Sequence, residues 1–209
     1  IAIALLGLLP HASADYIHWV DFRLSAPVLR SALELDMASQ GGEQPLDWID
    51  ILALAAAWRG GTGVTVADTQ RAAQALRGDT PPERLPGMAG RYFSYYREAY
   101  GAALGGLAGH FAIRRTDPQT GEAEWIPAYG LKAFSPIAAG YPWSHYPDFG
   151  AQRSYGYARP HLGNDILGAL GTPICAVEGG TVEALGWNRY GGWRIGIRSD
   201  DRKRYYYYA

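Results

Sequence analysis

Residues 159–187 read RPHLGNDILGALGTPICAVEGGTVEALGW. Two features of this stretch decide how the rest of the chain is read. The first is a His and an Asp, His161 and Asp165, four positions apart with Gly163 between them. The second is a run of short apolar segments separated by glycine turns, with no helical spacing between them. ICAV and TVEALGW flank Glu178-Gly179-Gly180, and WRIGIRS and RKRYYYYA flank Asp200-Asp201. Strands this short and evenly spaced, without intervening helices, predict an antiparallel β-domain rather than βαβ units.

Upstream the periodicity is different. Residues 15–110 predict a helical region. Ser25-Ala26-Pro27 places a Ser at an N-cap and a Pro in the first turn, and Val28, Leu29, Ala32, Leu33 and Leu35 continue at near-helical spacing. PLDWIDILALAAAWRGG predicts a second helix closed by Gly60-Gly61. A third is expected over TQRAAQALRGD, capped by Asp68 and ending near Gly78. A fourth is expected over RYFSYYREAYGAALGGLAGHF, whose stripe Tyr92, Phe93, Tyr96 and Tyr100 reads as packing. Residues 111–128 predict a β-hairpin connector around the DPQTG turn. Residues 131–158 are irregular and rich in Pro, Gly, Ser and aromatics, the composition of a segment that lines a cleft. The expected fold class is α+β, a helical N-terminal region followed by an antiparallel β-sheet domain over 129–209.

Composition narrows the partners. Across 209 residues, 48% are hydrophobic and 19% charged, which suits a packed core, and a net charge of −1 offers nothing to attract nucleic acid. The single cysteine, Cys175, excludes an intrachain disulfide and a thiolate zinc site, and in TPICAV it reads as a small buried hydrophobe. At the start, IAIALLGLLPHASA resembles an apolar leader ending in the A-x-A pattern of Ala12-Ser13-Ala14. Residues 1–14 are therefore expected to be the remnant of a signal peptide, its start lost because Ile1 is not Met. The protein is expected to be secreted or associated with the cell envelope. The other readings of this run are a short buried helix or an uncleaved anchor, and it falls short of the roughly 20 apolar residues of a membrane span.

His161 and Asp165 are spaced so that both side chains share a face, whether the backbone is helical or extended. Pro160 and Gly163 favour the extended or looped form. Imidazole nitrogen and carboxylate oxygen both ligate Zn²⁺, and a catalytic zinc site takes three protein ligands and a water. On spacing alone the alternative stays open that His161 is hydrogen-bonded near an Asp that caps a turn.

The surroundings extend the pattern. Arg159, His161, Gly163 and Asp165 are followed by Gly171-Thr172-Pro173, Ala176, Gly180 and Val182, then Gly191-Gly192, then Tyr205 to Ala209. This combination, over about 129–209, resembles the M23 (LytM/lysostaphin-type) zinc metallopeptidases. The resemblance implies Zn²⁺ bound through His161 and Asp165. It implies a metalloendopeptidase that cuts stem or cross-bridge peptides of bacterial peptidoglycan with a metal-activated water. In that family the Tyr-rich strand runs into a catalytic His, and a later H-x-H supplies the third ligand and a second catalytic His. The chain stops at Ala209 and contains no H-x-H. The expectation is a fragment whose catalytic histidines lie beyond residue 209 and which is itself inactive. The alternative is a degenerate relative acting as a non-catalytic envelope scaffold or activator, with the N-terminal helices docking a protein partner. A plain carbohydrate- or peptide-binding module is a third reading.

The remaining histidines read as structural. His145 lies in the irregular segment upstream of the motif and reads as a loop residue, His110 as a partner of a helix C-terminus, and His11 and His18 as part of or beside the leader. Among the aromatics Tyr155, Tyr157 and Tyr205 to Tyr208, alternate residues on a strand face opposite sides, so one set is expected to pack while the other is free to line a groove.

Overall fold

A computed structural model of the chain describes residues 2–4, 23–148, 150–154, 157–161, 165–189 and 191–209. In order, its elements are β1 (Ala2–Ala4), α1 (Ala26–Ser39), α2 (Trp48–Arg59), α3 (Val66–Leu76), α4 (Met88–Leu104), β2 (Ala108–Thr116) and β3 (Ala123–Leu131). Next come β4 (Trp143–Tyr146), β5 (Gln152–Arg153), β6 (Arg159–Pro160), β7 (Asp165–Gly168), β8 (Gly180–Asn188), β9 (Gly192–Ser199) and β10 (Tyr205–Tyr208). Helices precede antiparallel strands, so the fold class is α+β. The chain divides into two compact units, one of residues 14–132 and one of residues 1–13 with 133–209. Residues 1 and 5–14 of the leader, with His11 and His18, lie outside the described residues.

The helical unit is built around α2. Nine of its twelve residues are buried, including Ile51, Leu52 and Leu54. A helix that is apolar on every side has to be enclosed by others, and α1, α3 and α4 enclose it. Its ends are fixed locally. Asp47 accepts the Ile49 N–H at 2.7 Å, and Gly60 closes the helix at φ +62°, where a side chain would be strained. The cap of α3 is Thr65 rather than the expected Asp68. Thr65 Oγ1 accepts the Asp68 N–H, and the Asp68 carboxylate accepts the Thr65 N–H at 2.9 Å, a reciprocal capping box. Phe93 and Tyr100 of the aromatic stripe are buried, as packing requires. Helix α4 ends at Leu104, short of the helix expected to run to Phe111, because Gly105 and Gly106 (φ +79°) break it. Residues 108–111 then begin the hairpin, whose strands run three residues further at that end than the composition indicated.

One buried carboxylate joins these pieces. Asp36 on α1 accepts the Trp48 N–H at the start of α2 (3.0 Å), the Gln40 side-chain amide (2.7 Å) and the Tyr129 hydroxyl of β3 (2.8 Å). Burial, and donation to this carboxylate, push the Tyr129 phenol above its ordinary pKa.

In the other unit the sheet order is β1-β10-β9-β8, all antiparallel, with smaller pairs β4–β7 and β5–β6. ICAV is not the strand expected from its composition. It forms only an isolated bridge, Ile137 to Ile174, and its backbone is met piecemeal: Cys175 N–H by the Pro136 carbonyl, Val177 N–H by the Tyr208 hydroxyl. Cys175 is half-buried rather than a core residue. Tyr206 and Tyr208 are buried and Tyr205 and Tyr207 half-buried, the alternation a pleated strand imposes. Beneath them Arg204 reaches both oxygens of Glu178 (2.6 and 3.0 Å), and Tyr206 donates to the same carboxylate.

The Asp36 tie and the β8–β9 pairing can each be tested by substitution. Asp36→Ala leaves the buried Trp48 N–H and the half-buried Tyr129 hydroxyl without their acceptor, so chemical denaturation followed by the helical circular-dichroism signal should show a loss of about 3 kcal/mol. A Cβ at Gly180 would lie 2.1 Å from the Arg198 carbonyl oxygen of β9. Gly180→Ala should therefore cost about 1–3 kcal/mol and weaken hydrogen-exchange protection along β8 and β9.

Candidate metal centre

The two short strand pairs converge on one corner of the C-terminal unit. The β4–β7 ladder sets Tyr146 opposite Asp165, so Asp148, two residues past Tyr146, arrives beside the start of β7. The β5–β6 pair sets Arg153 opposite Arg159 and delivers His161 just after it. Backbone bonds lock the corner: Gly150 N–H to His161 carbonyl (2.7 Å), His161 N–H to Ala151 carbonyl (2.8 Å) and Asp148 N–H to Tyr146 carbonyl (2.9 Å). The chain is extended at Arg159–Pro160 and again at Asp165–Gly168, while 162–164, with Gly163, lie outside the described residues.

His161 and Asp165, the two residues proposed from the motif, come together here with a third. One ligand atom from each of Asp148, His161 and Asp165 lies within 4.8 Å of the others. His161 Nε2 is 3.6 Å from Asp165 Oδ1, and His161 Nδ1 is 3.0 Å from Asp148 Oδ2. Asp148 Oδ1 accepts the Asp165 backbone N–H at 3.1 Å. The Asp148 side chain is 6% exposed, His161 14% and Asp165 34%, so the cluster grades from a buried base to an open rim.

Arg153 completes the electrostatics. Its Nη2 donates to Asp165 Oδ2 at 2.8 Å, bonds Asp148 Oδ2, and lies 3.1 Å from His161 Nδ1. Burial pushes the Asp148 carboxyl up, but the Asp165 N–H, the His161 ring and the Arg153 guanidinium together hold it below the usual carboxylate range.

The donor set fits a divalent ion. One imidazole and two carboxylates are ligands that zinc and other borderline ions accept. Two ligand atoms each about 2.0–2.1 Å from a tetrahedral zinc stand about 3.4 Å apart, close to the 3.6 Å between His161 Nε2 and Asp165 Oδ1. That separation is too long for a hydrogen bond.

Sequence reasoning did not single out Asp148 or Arg153. The only signal was regional, the irregular stretch 131–158 that contains both; they lie 13 and 8 residues before His161. Among the described residues, the other histidines stand outside this cluster. His145 is exposed on β4, and His110 lies in β2, its ring 5.0 Å from that of Tyr129, not at a helix end as expected. Tyr155 lies outside the described residues; Tyr157 is exposed, with the Arg159 guanidinium 5.1 Å from its ring centroid.

No family model matches the chain, and no solved structure matches it. Among curated proteins, the L-Ala--D-Glu endopeptidase of Bacillus subtilis (strain 168) is 42% identical over 80 residues. That match covers 38% of this chain and 24% of the relative. The chain is similar to a peptidase. It spans about a quarter of the length of that relative.

Arg153→Met should leave Asp148 and Asp165 facing each other without their shared cation. Because Arg153 is partly exposed, the expected cost in metal-free protein is about 1–2 kcal/mol. In a thermal melt the deficit should be largest near neutral pH and shrink below about pH 4, where carboxylates take up protons.

Proposed function

We propose that this chain carries part of a zinc metalloendopeptidase of the M23 type that cleaves peptide bonds of bacterial peptidoglycan. The observation that carries the reading is the convergence of His161 Nε2 and Asp165 Oδ1, the two ligands the motif names, across a gap suited to a cation. The similarity to an L-Ala--D-Glu endopeptidase over 80 residues supports it. The substrate class that follows is a wall stem peptide containing such a bond, and a secreted or envelope-associated location accords with it. Among the described residues no helix is long and apolar enough to cross a membrane.

A bound zinc would supply a water acidified towards neutrality and a Lewis acid for the scissile carbonyl. The chain's own residues would hold and shape that site. His161 and Asp165 would provide two of the ligands, and the resemblance implies a third beyond Ala209. The 34% exposure of Asp165 leaves the rim open to an extended peptide, while the buried Asp148 closes the floor. The histidines that would handle protons are likewise implied beyond Ala209.

A non-catalytic envelope scaffold has one observation in its favour. Arg153 already neutralises both carboxylates with a side chain, as a site that had given up its metal would need.

The two readings part on metal content and turnover. In the full-length protein, purification without chelator should yield one zinc per chain by elemental analysis. Cleavage of a stem peptide containing the L-Ala–D-Glu bond should cease on chelation and return on adding Zn²⁺. His161→Ala and Asp165→Ala should each abolish zinc binding; stoichiometric zinc in both variants would overturn the ligand assignment. Full-length protein without zinc or cleavage would favour the scaffold.

A further inference from the structure

We infer, resting on the zinc reading, that Arg153 is the resident counter-ion of this corner and that a divalent metal seated between His161 and Asp165 must displace its guanidinium. Arg153 is then a positioning residue, which keeps the ligand side chains gathered and sets how tightly the metal is held.

A single nitrogen of Arg153 reaches every member of the cluster. Its Nη2 donates to Asp165 Oδ2 at 2.8 Å, bonds Asp148 Oδ2 and stands 3.1 Å from His161 Nδ1. The atoms that face the gap are the other pair, His161 Nε2 and Asp165 Oδ1, 3.6 Å apart. Both Asp165 oxygens belong to one small carboxylate. A metal on Oδ1 would therefore stand roughly 4–5 Å from the guanidinium nitrogen on Oδ2. Like charges that close repel, and screening is weak in a cluster whose Asp148 side chain is 6% exposed.

Charge balance points the same way. One guanidinium, always protonated in proteins, is shared by the two carboxylates. Adding a dication beside it would set three positive charges against two negative ones. Exchanging the guanidinium for the dication leaves neither sign in excess, and a partly buried cluster favours that state because an uncompensated charge there is costly. There is room for the exchange. The Arg153 side chain is 28% exposed, and a surface hollow beside it is lined by Tyr146, Pro147, Ala151 and Gln152. The substitution that weakens the metal-free protein, Arg153→Met, should therefore tighten its hold on zinc.

Two measurements on the full-length protein test this. Zn²⁺ affinity, measured against a chromophoric chelator, should rise by about tenfold in Arg153→Met and by much less in Arg153→Lys, which keeps the charge. Affinity unchanged or lowered in Arg153→Met overturns the inference, and so does an equal gain in Arg153→Lys. In the unaltered protein, ¹⁵N NMR should show separate Arg153 Nη signals while the guanidinium is held, and these should merge as Zn²⁺ is added. Zinc bound with those signals unchanged also overturns it. Zinc held by Arg153→Met but not by the unaltered protein would uphold the displacement and end the peptidase reading for the unaltered chain. Zinc held equally by both would end this inference alone, and zinc held by neither would end both.

Discussion

Two carboxylates and an imidazole gathered into one corner impose a charge constraint on everything around them. Asp148 and Asp165 bring two carboxylates into one small cluster, where their charges repel unless a cation stands between them. In this structure the guanidinium of Arg153 meets the constraint. The otherwise puzzling architecture follows from it. The pairs β4–β7 and β5–β6 are too short to be stable as isolated hairpins. They are tied instead by side chains: Arg153 on β5 bonds Asp165 at the head of β7, and Asp148 after β4 accepts from the Asp165 backbone. Ion pairs and two-residue ladders here stabilise each other, and together they hold a corner shaped to admit a cation.

The two units solve burial by different means. The helical unit encloses an apolar helix and needs one buried acid, Asp36, to tie its start to α1 and the hairpin. The unit of 133–209 has few fully buried apolar side chains, chiefly Val177, Tyr206 and Tyr208. It relies on the Arg204–Glu178 pair to hold its tyrosine strand against residues 177–178. Buried ionic networks of this kind add little net stability over a well-packed apolar core, but removing one partner is costly. They suit a unit whose task is to hold polar groups in defined places.

Much of the local structure was legible because it rests on short-range physics. The Gly60-Gly61 stop, the two-residue alternation of Tyr205–Tyr208 and the Asp117-to-Gly121 turn, where Asp117 accepts the Gln119 and Thr120 N–H groups, each depend on residues a few positions apart. The misreadings have the same origin turned around. Asp68 looked like a cap because caps favour Asp, yet Thr65 was three residues upstream with the reciprocal geometry. ICAV looked like a strand because it is β-branched and apolar, but its neighbours 134–137 offer only scattered hydrogen bonds. His110 looked like a helix-end residue because the helix pattern ran through two glycines that in fact ended it.

By itself, the sequence determined the order of helices before strands, which follows from periodicity, and the resemblance carried by the motifs of 159–209 marked His161 and Asp165 as a pair to hold a cation, which their four-residue spacing alone left open. Only the tertiary structure decided what completes that pair. Asp148 and Arg153 lie 13 and 8 residues before His161, at separations that no regular element turns into a contact. Two strand pairs, folding back in different directions, bring them within hydrogen-bond reach. Contacts of that kind depend on where the backbone turns, and in the irregular stretch 131–158 the turns are set by the assembled strands rather than by local preference.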